Sequence, residues 1–319
     1  MAQVGCAGIL VADLLCGPVS ALPRPGELLA VDDIPAKAGG CAANVAIDLS
    51  RQGIRAKVAG CVGRDAAAET PLDALRAHGV DCTGIVWSAR LPTSKTVVLL
   101  VAGEDRRFIH SFGANGEFKI GDIQRQWLSG LNVFYLGGLF AMPGIKVGDL
   151  VDLLDFCRRS CIVTVVTVVV PKAFDQSHDL ARLLPTIDYF LLNDDEARVF
   201  TGRSDPVDQA AALVASGARI PIVTCGARGA VAARGPQRWR CGAYEVPIVD
   251  PSGCGDAFAA GVITGVIRGW DMPRTLVYAS ALGASAVRAV GTTDGVFDAG
   301  ETEEFAAERK LQMEEWIAD

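Results

Sequence analysis

Short runs rich in valine, isoleucine and leucine alternate with helical patterns along most of this chain, and that rhythm leaves few folds open. Continuous apolar character predicts strands at residues 4–11, 57–62, 132–136, 161–170, 189–192 and 220–224. Helical spacing covers 42–51, 71–78, 147–158 and 196–200, the first two stopped by Gly53 and Gly79. The last third turns helical, at 256–268, 273–289 and 303–317. A strand, a crossover helix and a second strand pair in parallel, and strands apolar on both sides need cover on both faces. The expected fold class is therefore α/β, a three-layer α/β/α core around a mostly parallel sheet.

Two stretches break the rhythm. Residues 21–37 are rich in proline and charge, and 96–112 read as a hairpin turning at 103–105. Neither leads into a crossover helix, so both are read as a small β lid over the sheet's carboxyl end, covering about residues 14–38 and 91–116. With no linker and no repeat, residues 1–319 are expected to form a single domain. The net charge of −7 argues against binding nucleic acid or an anionic membrane, since both need a concentrated positive field. The apolar N-terminus lacks a basic leader and carries Asp13, so it is read as a buried strand. The longest apolar run, 161–170, is about half the roughly 20 residues of a bilayer span, and a cytoplasmic protein is expected. Ten cysteines without a CxxC pair, beside three histidines, give no zinc pattern. These thiols are read as small buried hydrophobes.

The stretch VPIVDPSGCGDAFAAGVITGVIRG, residues 246–269, carries the chemistry. A strand is expected to end at Val249 or Asp250, a loop of Pro251, Ser252, Gly253, Cys254 and Gly255 follows, and an apolar helix begins near Asp256. Successive N–H groups of Gly253, Cys254 and Gly255 at a helix N-terminus make an anion hole that needs no lysine. Asp256 beside that anion reads either as a helix cap or as a general base that takes a proton from a hydroxyl during phosphoryl transfer. The P-loop pattern GxxxxGK[ST] is absent from the sequence. A dinucleotide oxidoreductase would need GxGxxG after the first strand, where the chain offers Asp13 and Gly17.

The run Asp250-Pro251-Ser252-Gly253-Cys254-Gly255-Asp256 resembles the D-T-x-G-A-G-D signature of the ribokinase-like (phosphofructokinase-B type) carbohydrate kinases. Gly39-Gly40-Cys41-Ala42-Ala43-Asn44 resembles that family's second signature, a Gly-Gly pair followed by three residues and Asn. Asn193-Asp194-Asp195-Glu196 is similar to its N-x-x-E element, and Thr224-Cys225-Gly226-Ala227-Arg228-Gly229 to its T-x-G-x-x-G turn. The resemblance runs from about residue 4 to 310. It implies a ribokinase-like core with a β lid, and an ATP-dependent kinase that phosphorylates a hydroxymethyl group of a sugar, with Asp256 as base and Gly253, Cys254 and Gly255 as anion hole. By the same resemblance Asp13, Gly39, Gly40 and Asn44 meet the sugar, while Asn193, Thr224, Gly226, Arg228, Gly229 and Ser280 meet ATP. Glu196 would order magnesium through water, and Asp250, Ser252, Ala286, Ala289 and Gly291 would hold potassium. A nucleoside or sugar-phosphate kinase, and a catalytically silent sugar sensor, stand as the alternatives, and a homodimer through the lid is a partner the resemblance allows.

The chain departs from the family at three positions. Pro251 replaces a threonine, Val11 stands where ribokinases carry an asparagine, and Cys254 replaces a small alanine. The Cys254 thiol, at a helix N-terminus, is expected to be acidified. Arg228 reads equally as a phosphate contact and as a solvated side chain.

Overall fold

The computed structural model describes residues 3–104, 106–170 and 177–318. Its strands are β1 Gln3–Gly8, β2 Val11–Val19, β3 Ala36–Gly39, β4 Arg55–Gly63, β5 Asp81–Ser88, β6 Lys95–Val101, β7 Arg107–Ser111, β8 Val133–Leu139, β9 Val163–Val168, β10 Tyr189–Asn193, β11 Ile220–Thr224, β12 Ala230–Arg234, β13 Gln237–Cys241 and β14 Met313–Ile317. The helices are α1 Cys41–Arg51, α2 Glu69–Ala77, α3 Arg125–Leu128, α4 Val147–Arg159, α5 Ser177–Leu183, α6 Asp194–Thr201, α7 Pro206–Ala215, α8 Cys254–Arg268, α9 Met272–Ala286 and α10 Ala299–Glu308.

The large sheet has the order β14-β13-β12-β11-β10-β9-β8-β1-β4-β5. From β11 to β5 every pairing is parallel, and only β12, β13 and β14 run antiparallel at one edge. Successive residues of β8 show why both faces are covered. Phe134 and Leu136 pack with Leu150, Leu153 and Leu154 of α4, while Val133 and Tyr135 pack toward Ile47 of α1 and Val262 of α8. The three-layer α/β/α expectation is therefore met.

A second sheet, ordered β3-β2-β6-β7, forms the lid. The hairpin expected at 96–112 is β6 paired antiparallel with β7; its turn residue Asp105 lies outside the described residues. The apolar run at 4–11 proves to be two pieces, because β1 ends at Gly8 and Val11 already belongs to β2 of the lid. Gly8 adopts φ +143°, and a Cβ there would lie 2.1 Å from the Gly137 carbonyl oxygen of the neighbouring strand. Asp13 is consequently a lid-strand residue and not a turn residue after the first core strand.

Other expectations need correcting. The helix predicted at 303–317 stops at Glu308, and Met313–Ile317 forms the edge strand β14, where Trp316 pairs with Arg238 and lies 5.9 Å from the Arg240 guanidinium. No strand precedes the 251–255 loop, since residues 242–248 have no regular secondary structure. All ten cysteines are free; Cys6, Cys61, Cys157, Cys225 and Cys241 are buried as expected, whereas Cys161 is exposed.

The junction at Gly8 gives a stability prediction. Gly8→Ala should cost about 3 kcal/mol or more, because the added methyl meets backbone and the dihedral is one that L-residues avoid. A urea midpoint unchanged from the wild type would show that the junction relaxes at no cost.

Candidate active site

Gly253 starts α8 in the left-handed region, φ +80°, and a Cβ at this position would stand 2.0 Å from the Thr292 carbonyl oxygen. Only glycine fits. The turn places Ser252, Gly253, Gly255 and Asp256 in the wall of a cavity of about 490 Å³ that residues of both sheets line. Asp256 Oδ2 accepts a hydrogen bond from Asn44 Nδ2 at 2.8 Å. Asn44 is fixed in turn by Thr292, whose Oγ1 lies 2.9 Å from both Asn44 Oδ1 and the Ala38 carbonyl oxygen. Enclosure raises the pKa of Asp256 above the usual carboxylate range, while hydrogen bonds from Asn44 and the Cys41 thiol oppose that rise. The result is a carboxylate more basic than one in water, suited to accept a proton.

Asp13 is 7% exposed and enters the cavity from β2. It fits only because residue 39 is glycine: a Cβ there would lie 1.9 Å from Asp13 Oδ2. Gly40, with φ +92°, opens α1 in the same way against the Ile9 carbonyl. Burial pushes Asp13 up to about 6, against a hydrogen bond from Thr96 and with help from the charges of Asp256 and Asp250.

Across the cavity, β10 delivers Asn193, the first turn of α6 delivers Glu196, and β11 delivers Thr224. Asn193 and Glu196 cap α6 reciprocally: Glu196 N–H donates to Asn193 Oδ1 at 2.8 Å and Asn193 N–H donates to Glu196 Oε2 at 2.9 Å. Burial raises Glu196 to about 7, against the N–H groups of Asn193 and Val170. A carboxyl that gains its charge so reluctantly fits a cation that neutralises it. Among the described residues no group of three His, Cys, Asp or Glu side chains forms a metal cage, so a cation here would be held mainly by phosphate and water.

Asp250 is fully buried, its oxygens accepting the N–H groups of Ser252 at 2.9 Å and Gly291 at 3.0 Å. It ties the anion loop to the loop after α9. Beside it, Ser252 Oγ is buried without a hydrogen-bond partner among the described residues.

Several expected residues lie elsewhere. Ser280 is 8% exposed and faces Cys241 Sγ at 3.3 Å, away from the cavity lining; the unexpected strand β13 brings Cys241 against α9. Arg228 is ion-paired with Asp194, with 64% of its side chain exposed. Gly226 and Gly229 shape the turn after β11, and a Cβ at Gly229 would overlap the Cys241 carbonyl oxygen. The Cys254 thiol is not acidified. Burial raises its pKa, outweighing the nearby Arg106 charge, and its side chain packs against the cluster around Ala257 and Leu282.

The sequence reading missed Cys41, Thr96, His110 and Thr292. Cys41 lay inside the second glycine motif and was legible there. The other three are brought to the cavity by strand pairing and loop packing alone.

Comparison with known proteins places the chain among the carbohydrate kinases. The profile of the pfkB family carbohydrate kinases matches residues 1–298, and the chain belongs to that family. It is 22% identical over 259 residues to the ATP-dependent 6-phosphofructokinase of Thermoanaerobacterium thermosaccharolyticum, covering 79% of this chain and 80% of the relative. An Escherichia coli protein assigned as ribokinase II, solved with ATP and Mg2+, superposes with a TM-score of 0.81 at 22% identity over 97% of this chain and all of that one. Arabidopsis thaliana ribokinase, solved with ribose and ATP, gives 0.80 at 20% identity, covering 96% and 98%.

Glu196 supplies a prediction with a definite sign. Its pKa in the fold, about 7 against an ordinary 4.5, means the folded protein keeps a proton the unfolded chain has lost. Stability from this group is therefore full at acidic pH and falls as pH rises through that window. Glu196→Gln, which preserves the capping acceptor, should raise Tm relative to wild type at about pH 8, with the gain vanishing near pH 4.5. A Tm difference independent of pH would refute the burial of this charge.

Proposed function

We propose that this carbohydrate kinase transfers the γ-phosphoryl group of ATP to a hydroxymethyl group of a sugar. The observation that carries the reading is Asp256, oriented by Asn44 in the first turn of α8, beside the N–H groups that would meet a phosphoryl group. Asp256 takes the proton of the acceptor hydroxyl, whose oxygen forms a bond to the γ-phosphorus as the bond to the β,γ-bridging oxygen breaks, releasing ADP. The N–H groups of Gly253, Cys254 and Gly255 hydrogen-bond the equatorial oxygens as charge develops there. Asp13, Gly39, Gly40 and Asn44 bind the acceptor; Asn193, Thr224, Gly226, Arg228 and Gly229 serve the nucleotide. Magnesium, with Glu196 facing its water shell, would neutralise the phosphate oxygens.

Residues 1–319 act as one kinase domain in this reading, with the lid excluding water from the transfer. None of the helices among the described residues is long and apolar enough to cross a membrane.

Asp256→Asn should keep the fold and ATP binding but lower kcat by about 10² to 10⁴, the range for loss of a general base. Titration calorimetry with ATP and steady-state ADP release check it, and a variant keeping more than about a third of wild-type kcat would remove Asp256 from this role. Asp250, Ser252 and the carbonyls of Ala286, Ala289 and Gly291 would hold potassium, which braces the anion loop. Turnover should therefore be higher in potassium than in tetramethylammonium at equal ionic strength; equal rates would show that the Pro251 loop is rigid without an ion.

A further inference from the structure

Strand register sorts the cavity face of the lid into rows. Asp13 on β2 stands beside Thr96 on β6, which stands beside His110 on β7. Two residues along each strand, on the same face, Leu15, Val98 and Phe108 make the next row. All six line the cavity.

The first row is a hydrogen-bonded chain. Asp13 receives a hydrogen bond from the Thr96 hydroxyl, so Thr96 Oγ1, 3.0 Å from His110 Nδ1, is left to accept from the ring. That fixes the proton on Nδ1 and leaves Nε2 as an acceptor. Partial enclosure lowers the imidazole pKa and keeps the ring neutral near pH 7. The row thus presents a carboxylate and an imidazole lone pair, both of which take hydrogen bonds from hydroxyls.

On either side of this stripe the lid is apolar. Leu15 and Val98 are buried, yet the Phe108 and Phe112 rings, flanking His110 on the cavity face, stay 54% and 42% exposed. Phe112 meets His110 edge-on at 4.9 Å, and the Arg106 guanidinium lies over Phe108, 5.4 Å from the ring centroid. A planar, weakly hydrated substituent laid on these rings buries its whole face against them, whereas a free sugar offers only small C–H patches between its hydroxyls. An acceptor with hydroxyls along one edge and a flat, weakly hydrated body matches both zones.

Resting on the kinase reading above, we infer that the acceptor is a glycoside with a planar substituent at its anomeric carbon, a nucleoside-like molecule. Its ring hydroxyls bond Asp13 and His110, and its substituent packs on Phe108 and Phe112.

An ADP-release assay with uridine, inosine and adenosine against ribose, fructose and fructose 6-phosphate tests this. At least one nucleoside should exceed ribose in kcat/KM by about tenfold or more, although both offer the same hydroxymethyl group. Phe108→Ala should then raise the KM for that nucleoside about tenfold, with the KM for ATP unchanged. Phosphorylation of a free sugar or of fructose 6-phosphate at least as efficient as that of every nucleoside overturns the inference and leaves the kinase reading intact. Failure to phosphorylate any of the six, in protein that still binds ATP, overturns both.

Discussion

One loop holds the beginning of α8 from three directions. The Gly291 N–H bonds Asp250, the Thr292 carbonyl packs against the Cβ-less face of Gly253, and the Thr292 hydroxyl orients Asn44, which holds Asp256. A carboxylate next to a site built for anions is repelled by what that site binds, and burial alone would protonate it. Directed hydrogen bonds from Asn44 and Cys41 keep the charged form accessible. The position of Asp256 thus depends on a segment far away in sequence, and the glycines are fixed by backbone neighbours whose positions leave no space for a side chain.

The same α1 helix also carries Asp48, one turn beyond Asn44 and fully buried, with neither carboxyl oxygen hydrogen-bonded to a described group. Burial raises its pKa far above the usual range, and the charge of Asp256 adds to the effect. The two buried acids differ in their surroundings, because Asp256 has donors in Asn44 and Cys41 whereas the Asp48 oxygens have none among the described residues.

Much of the core was legible because crossover strands are apolar on both faces and their helices are periodic. The expected helices at 42–51 and 147–158 and the strand at 220–224 match α1, α4 and β11 closely. The edge strands escaped notice. QRWRC of β13 and MEEWI of β14 are short, mixed in polarity and paired antiparallel, so their identity comes from neighbours and not from their own pattern. The run at 4–11 misled for a different reason, since hydrophobicity does not register the close approach at Gly8 that sends the chain from one sheet to another. Asn44, Asn193, Glu196, Thr224 and Asp256, motif residues with fixed spacing, converge on one cavity, whereas Thr96, His110 and Thr292 have no local signature. Ser280 lies outside that lining, against Cys241 of β13.

The switch at Gly8 also separates two tasks. Asp13, Thr96, His110 and Phe108 reach the cavity from the small sheet, while Gly255 and Asp256, the proposed anion loop and base, reach it from α8. Because side chains on a strand alternate faces, a substitution at one inward lid position alters one patch of wall and leaves the base and its supporting loop untouched. In such an architecture a change in the lid wall can alter which molecule fits the cavity without moving the groups on the opposite wall.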